Sequence, residues 1–397
     1  MAVALAALLL LAAVWTVVNR EDLGRWWYAR QPLDELVERG RARDADEVLL
    51  SVAGARLLEV SRGFEAVRLL EPRIARGGAS GEVQTLWARA LAASGRIPEA
   101  SRAFDASLAA EPGNAETRRR AGEFLLDGER YEDAEGLLRQ SLELDPDLDG
   151  ARLALARLEL AREHPEAAMA YLEDARDPGA PTSWPGSLYR AQALLALGRM
   201  AEAEEAARQA YAARPGVESV LALVRALHAD ATRERLVEAR SILDRSLVKG
   251  VEDVAMLRLA ALNDRLLGDH AGAVRRLRGL LRFAPVMPEA YHLLAQSYAR
   301  LGRAELAEAC RRAYRYLEPR EAAVNRLRYR LRVEQGSPAV RVELAAAYLD
   351  LGRHDLALSM LGRVPPGTPG AAKLRRRAQQ PLPELPVRLP ADPEFGP

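Results

Sequence analysis

The side chains in this 397-residue sequence best suited to metal binding or nucleophilic chemistry are five histidines and one cysteine. His164, His228, His270, His292 and His354 are scattered, and no pair has the i,i+4 spacing with an intervening glutamate that a helical zinc protease uses. His164, His270 and His354 fall beside expected inter-helix turns, at or next to one equivalent place, which marks them as structural. The single Cys310 excludes an intrachain disulfide and any multi-cysteine metal site, and its place inside a helix reads as a packed thiol. No G-x-x-x-x-G-K-[ST], no G-x-G-x-x-G after a strand and no nucleophile elbow occurs. Acidic pairs such as Glu204-Glu205 read as solvated helix faces. Catalysis needs convergent groups, and none is visible. The sequence therefore predicts a non-enzyme with no catalytic residue, no metal and no cofactor.

The elements that carry these residues are best seen between Pro288 and Pro319. Tyr291, Leu294, Ala295 and Tyr298 share one face at helical period, so the first half is an amphipathic helix. Gly302 then breaks the pattern, because glycine takes the left-handed conformation that ends a helix. A second apolar series runs through Leu306, Ala307, Cys310 and Tyr314, and Pro319 is expected to close it. Two helices joined by a glycine turn cannot bury their apolar faces alone. Neighbouring copies must cover them.

The copies are marked by a small residue early in each second helix: Ala66, Ala100, Ala134, Ala168, Ala203, Ala239, Ala273, Ala307 and Ala357. Their spacings are 34, 34, 34, 35, 36, 34, 34 and 50. A helix-turn-helix period of 34 is the tetratricopeptide signature, and the chain resembles that family over residues 47–363. The best unit matches the family pattern with Tyr291, Leu294, Ala295, Tyr298, Ala307 and Pro319. The 115–148 unit matches with Gly122, Leu125, Tyr131, Ala134 and Pro146, and the 81–114 unit with Ala100, Phe104 and Pro112. The unit around Ala239 lacks the closing proline and has two extra residues near 231–235, and the first unit is degenerate. The resemblance implies an all-α, right-handed solenoid of about nine hairpins. The long interval before Ala357 leaves room for one extra helix, 320–335, read as a spacer that adjusts curvature or as a partner surface.

Family resemblance also implies a concave groove lined by the first helix of each hairpin. Its ninth positions fall on Arg89, Glu123, Arg157, Gln192, Leu262, Gln296 and Ala346. Fifth positions include Arg119 and His292, and Arg300 takes a thirteenth. Two readings of the N-terminal arginines stand side by side. Arg89, Arg119 and Arg157 hold an acidic peptide by bidentate contacts, or they pair with Glu82, Glu116 and Glu123 as a solvated face. The lysine and asparagines of the family's chaperone-binding subgroup are absent, which argues against a chaperone co-receptor.

The ends differ from the middle. Ala2 to Val18 is an uncharged, proline-free apolar run of 17 residues, just long enough to span hydrocarbon. No basic region precedes it and no small-x-small site follows, so a retained anchor (residues 1–19) is expected rather than a cleaved signal. Trp26, Trp27 and Tyr28 follow within a juxtamembrane stretch, 20–46, and suit the headgroup level; alternatively they plug the open end of the first repeat. Arg20, Arg25 and Arg30 on the C-terminal side place the repeats in the cytoplasm, at a bacterial inner membrane, with the periplasm as the alternative. A polar helix within 364–380 is expected to cap the last hairpin, and the proline-rich tail 381–397 to be extended and disordered, as a spacer or a ligand for another protein.

Basic and acidic residues balance at 57 against 56, so nothing marks a nucleic-acid track. The expected function is a protein-binding scaffold tethered to a membrane, with other membrane-associated proteins as partners and no nucleic acid or small-molecule substrate. The alternative is a permanent subunit or assembly factor of a membrane enzyme or secretion complex.

Overall fold

The computed structural model describes residues 20–397 apart from 43, 175–182, 248–252, 335–336, 381–391, 393 and 395–397. The apolar run Ala2–Val18 lies outside the described residues. Among the described residues the regular structure is 21 α-helices, and none of them is long and apolar enough to cross a membrane.

The chain divides into two compact units, Met1–Arg199 and Met200–Pro397. The first contains α1 (Arg20–Ala29), α2 (Leu33–Gly40), α3 (Glu47–Glu59), α4 (Gly63–Ala75), α5 (Gly81–Ala93), α6 (Ile97–Ala110), α7 (Ala115–Asp127), α8 (Tyr131–Leu144), α9 (Asp149–Ala161), α10 (Pro165–Glu173) and α11 (Trp184–Ala196). The second contains α12 (Met200–Ala213), α13 (Val217–Asp230), α14 (Arg233–Leu247), α15 (Val254–Leu266), α16 (His270–Phe283), α17 (Pro288–Arg300), α18 (Ala304–Val333), α19 (Pro338–Asp350), α20 (His354–Gly362) and α21 (Ala371–Ala378).

Each hairpin is built by the signals in its sequence. Side-chain caps open many first helices: Asp46, Asn114 and Asp253 accept from the backbone N–H three residues on, at 2.7, 3.0 and 2.9 Å. At the turn, Gly302 has φ +73° and Arg303 N donates to Tyr298 O at 2.9 Å, closing the helix end. The equivalent places Ser61, Glu129 and Glu163 adopt the same left-handed conformation without being glycine. All nine marker alanines are at most 1 % exposed. Their small size lets the two helices of a hairpin approach, and a larger side chain there would cost about 1–3 kcal/mol.

Within each unit the first helices also stand side by side. In the N-terminal unit α3, α5, α7, α9 and α11 form one row, and in the C-terminal unit α13, α15 and α17 do. These rows present the residues expected to line a groove. Tyr291, Leu294, Tyr298, Cys310 and Leu317 pack with Val324, Leu344 and Leu361 into one apolar core of the C-terminal unit. Burial there pushes the Cys310 thiol up to about 12, so it is an inert packing group.

Two expectations need correction. Pro319 does not close its hairpin: α18 runs 30 residues straight through it, so the extra helix expected at 320–335 is the continuation of α18. A proline inside a helix removes one hydrogen bond, but Leu317 and Val324 on either side are buried and Leu327 and Leu331 pack on the same core, which offsets that cost. The tail was expected to be disordered throughout. Residues 381–391 lie outside the described residues, but Asp392 is 1 % exposed and Glu394 pairs with Arg303 at 2.7 Å. At those two residues the chain is packed against the repeats. The capping helix is present as α21, resting on α19 and α20.

Candidate partner-binding groove

In the N-terminal unit the predicted groove arginines are placed on the row of first helices, and two of them, Arg119 and Arg157, are already engaged. Arg119, on α7 and only 7 % exposed, donates to Glu116 at 2.5 and 2.7 Å and to Glu123 at 2.5 Å. Both carboxylates lie three or four residues away on the same helix, where side chains meet. Arg120 reinforces the cluster at 2.8 Å to Glu116. Arg157, on α9, donates to Asp127 at 2.7 Å and reaches the Glu123 carbonyl at 3.5 Å. Glu82 is held by Arg25 of α1 through two bonds at 2.7 and 2.5 Å. Arg89 makes no ion pair with a described residue. Burial, helped by the positive charges of Arg120 and Arg119, lowers its pKa to about 10. Of the carboxylates named for these arginines, Glu116 and Glu123 pair with Arg119, whereas Arg157 pairs with Asp127 instead. Gln192 is half-buried on α11 and joins no hydrogen bond with a described residue.

The C-terminal unit is different. His292, Gln296 and Arg300, at the fifth, ninth and thirteenth places of α17, line one open cleft of about 720 Å³ together with Ala295 and Ala299. Arg265 of α15, His270 of α16 and Arg311 of α18 complete its wall, and among the described residues no carboxylate lines it. Gln296 Nε2 donates to His292 Nε2 at 2.6 Å. The His292 ring lies against Tyr314 with centroids 5.1 Å apart. That pair leads into a second, smaller hollow lined by Leu259, Leu262, Leu293 and Tyr314, with Arg258 and Glu289 at its edge.

The electrostatics of this cleft are set by what is missing around its arginines. Arg300 is exposed and makes no ion pair with a described residue. Arg265 Nε and His270 Nδ1 are buried without a hydrogen-bond partner among the described residues. A buried, unmet donor such as Arg265 Nε costs about 1–3 kcal/mol. Arg311 has a partial partner in Glu308 at 3.1 Å. The arrangement offers positive charge and open donors beside an apolar, aromatic hollow.

Arg265, His270 and Arg311 were not foreseen as groove residues. Arg265 occupies the twelfth place of its repeat, a position the family pattern includes, so the register alone would have found it. His270 and Arg311 come from second helices, where the pattern gives no signal.

The aromatic flank divides. Trp26 and Trp27 are 54 % and 55 % exposed on α1, with Arg30 stacked over Trp26 at 3.8 Å. Tyr28 instead packs against the first hairpins, and its hydroxyl donates to Asp46 at 2.8 Å. Only Tyr28 plugs the end of the repeats.

Tetratricopeptide repeat models match residues 85–149, 125–184 and 288–314. The chain carries tetratricopeptide repeats. Among solved structures, this tetratricopeptide chain is similar to PilW, a type IV pilus biogenesis factor, at 20 % identity over 54 % of this chain and 98 % of that one, TM-score 0.48. It is similar to yeast Tom70 at 14 % identity over 72 % and 65 % of the two chains, TM-score 0.47. Human IFIT1 shares 16 % identity over 82 % and 83 %, TM-score 0.50. These identities speak to fold alone. Among curated proteins none matches the chain by sequence.

Proposed function

We propose that this tetratricopeptide protein is a non-catalytic scaffold, tethered to a membrane, that holds acidic segments of partner proteins in the cleft of its C-terminal unit. The cleft itself carries the reading: Arg265, His270, His292, Arg300 and Arg311 surround it, and among the described residues no carboxylate lines it and two of its buried nitrogens lack partners. Arginine suits this task because its planar donors match a carboxylate in two places at once. The hollow around Leu262, Leu293 and Tyr314 would take an apolar side chain next to the acidic one.

The tether is supported by the apolar run Ala2–Val18 and by the exposed Trp26 and Trp27 that follow it. Amphipathic rings are favoured at the headgroup level, and one anchoring segment raises the local concentration of the cleft near other membrane proteins. Arg20, Arg25 and Arg30 after the run favour repeats on the cytoplasmic face.

The test is co-purification from detergent-solubilised membranes of cells carrying wild type or Arg300→Glu. The reading expects the wild-type chain in the membrane fraction with bound proteins, and loss of those proteins, but not of membrane association, in the variant. Recovery of the wild-type chain in the soluble fraction, or an unchanged partner set in the variant, would count against it.

A further inference from the structure

We propose, building on the acidic-segment reading of the C-terminal cleft, that its ligand is an extended chain in which one residue separates an apolar side chain from an acidic one.

Two helices of one row carry the same order of side chains. On α15, Leu259 and Leu262 line the smaller hollow and Arg265, further along, lines the cleft. On α17, Leu293 lines the hollow and Arg300 the cleft. His292 lines both, so the two spaces adjoin. At a rise of about 1.5 Å per residue, Arg265 stands about 4.5 Å beyond Leu262 and about 9 Å beyond Leu259, and Arg300 about 10.5 Å beyond Leu293. Apolar surface and positive charge are thus offset by roughly 8 Å along the row. In an extended chain, side chains two residues apart share a face and stand about 6.6 Å apart, whereas those four apart, at about 13 Å, overshoot all three offsets. Adjacent residues face opposite ways.

The pair at the junction selects an extended chain over a helix. Gln296 and His292 share the 2.6 Å bond, and neither has another hydrogen bond with a described residue. Whichever way the amide is turned, the neutral pair keeps one donor and one acceptor to spare: His292 Nδ1–H with Gln296 Oε1, or Gln296 Nε2–H with His292 Nδ1. An extended residue offers its N–H and C=O together to a neighbour, while a helix has spent those groups internally. Both side chains are exposed, and the small Ala295 and Ala299 between and beyond them let a backbone come close. The apolar residue of the ligand enters the leucine-lined hollow. The acidic residue meets Arg265 and Arg300, where no carboxylate among the described residues lines the cleft. His292 and Gln296 hold the main chain of the residue between.

The experiment uses the full chain and labelled peptides of equal composition, each with one leucine and one glutamate on a glycine–serine background, titrated by fluorescence anisotropy. The peptide with one residue between leucine and glutamate should bind about tenfold more tightly than those with none or with three, three being the spacing that brings the pair together on a helix. Replacing the amide N–H of the intervening residue by an ester oxygen should weaken binding about fivefold, the scale of one hydrogen bond. His292→Ala/Gln296→Ala should bind the amide more weakly than wild type and no longer distinguish it from the ester. Equal affinity for the three spacings, or an ester effect that is missing in wild type or persists in the double variant, would overturn the proposal and leave the cleft a site for acidic segments of no fixed spacing. Absence of binding by every peptide would overturn both.

Discussion

The first helices of both units carry arginines at groove places of the repeat, Arg119 at a fifth place and Arg265 and Arg300 at a twelfth and a thirteenth, and their surroundings differ. Arg119 has Glu116 three residues before it and Glu123 four residues after, so the guanidinium is saturated by its own helix. Arg300 has Gln296 four residues before it and Arg303 three after, and it makes no ion pair with a described residue. Arg265 has an acidic residue four places on, but Asp269 is taken by Arg240 and by the Gly272 N–H at 2.7 Å. A groove position therefore becomes a ligand position only where the i±3 and i±4 neighbours and the next hairpin leave the charge unspent. Arg119 and Arg157 of the N-terminal row are spent on internal carboxylates, whereas Arg300 of the C-terminal row makes no ion pair with a described residue.

The contrast can be broken most strongly through stability. Arg119→Ala strands Glu116 and Glu123 around a vacated, largely buried site. Breaking a buried pair costs about 3–5 kcal/mol, and the partial exposure of both glutamates reduces this to about 2 kcal/mol. Arg300→Ala should change stability by less than about 0.5 kcal/mol, as is usual for an exposed, unpaired side chain. Chemical denaturation followed by circular dichroism checks both. Equal losses in the two variants would erase the distinction between the units.

Binding comes next in size. Arg300→Glu should weaken an acidic peptide by about tenfold or more, about 1.4 kcal/mol, measured by calorimetry. The interaction should weaken further as salt rises, because exposed charges are screened within about 8–10 Å at physiological ionic strength.

A smaller effect lies in the turns. Glu129 and Glu163 take left-handed φ values of +58° and +65° at a place where Gly95, Gly198, Gly268, Gly302 and Gly352 stand in other repeats. Glu163→Gly should gain up to about 1 kcal/mol by removing that strain, and Gly302→Ala should lose a similar amount. Thermal midpoints of the two variants, moving in opposite directions, sharpen the comparison.

The most gradual difference is with pH. Burial holds the His228 pKa below its ordinary value, against the raising effect of its hydrogen bond to Asn263. The folded state thus favours neutral imidazole, the unfolded chain takes the proton first, and stability falls as pH drops below about 6.5. In the N-terminal unit, burial would raise Glu116, but Arg119 and Arg120 win and hold it low. Its contribution is present above the ordinary carboxylate value and is lost only as pH falls through the lower folded one. Hydrogen exchange at pH 7.5 and 5.5, corrected for intrinsic rates, should show the segment around α13 and α15 loosening first, and His228→Gln should remove that change.

Much of this architecture could be read before the structure, because it rests on local rules. The 34-residue spacing of the alanines reflects close helix contacts, and Gly302 marks a turn that only a left-handed residue can make. The Glu116–Arg119–Glu123 cluster was equally visible as i,i+3 and i,i+4 neighbours. Pro319 misled because a lost hydrogen bond competes with burial of Leu317 and Val324, and burial depends on distant partners. The Arg303–Glu394 pair was invisible for the same reason: its partners meet across 91 residues. Arg265 was within reach of the repeat register, whereas Arg311 enters the cleft from a helix the register does not describe.

The central claim is that the cationic cleft of the C-terminal unit, and not the arginine row of the N-terminal unit, receives an acidic partner segment. It is tested most directly by titrating one acidic, leucine-containing peptide into wild type, Arg265→Ala/Arg300→Ala and Arg89→Ala/Arg157→Ala chains by fluorescence anisotropy. The account predicts saturable binding to wild type, a loss of about tenfold or more in the first double variant, and no change in the second. Binding that survives the first pair of substitutions and disappears with the second would contradict it.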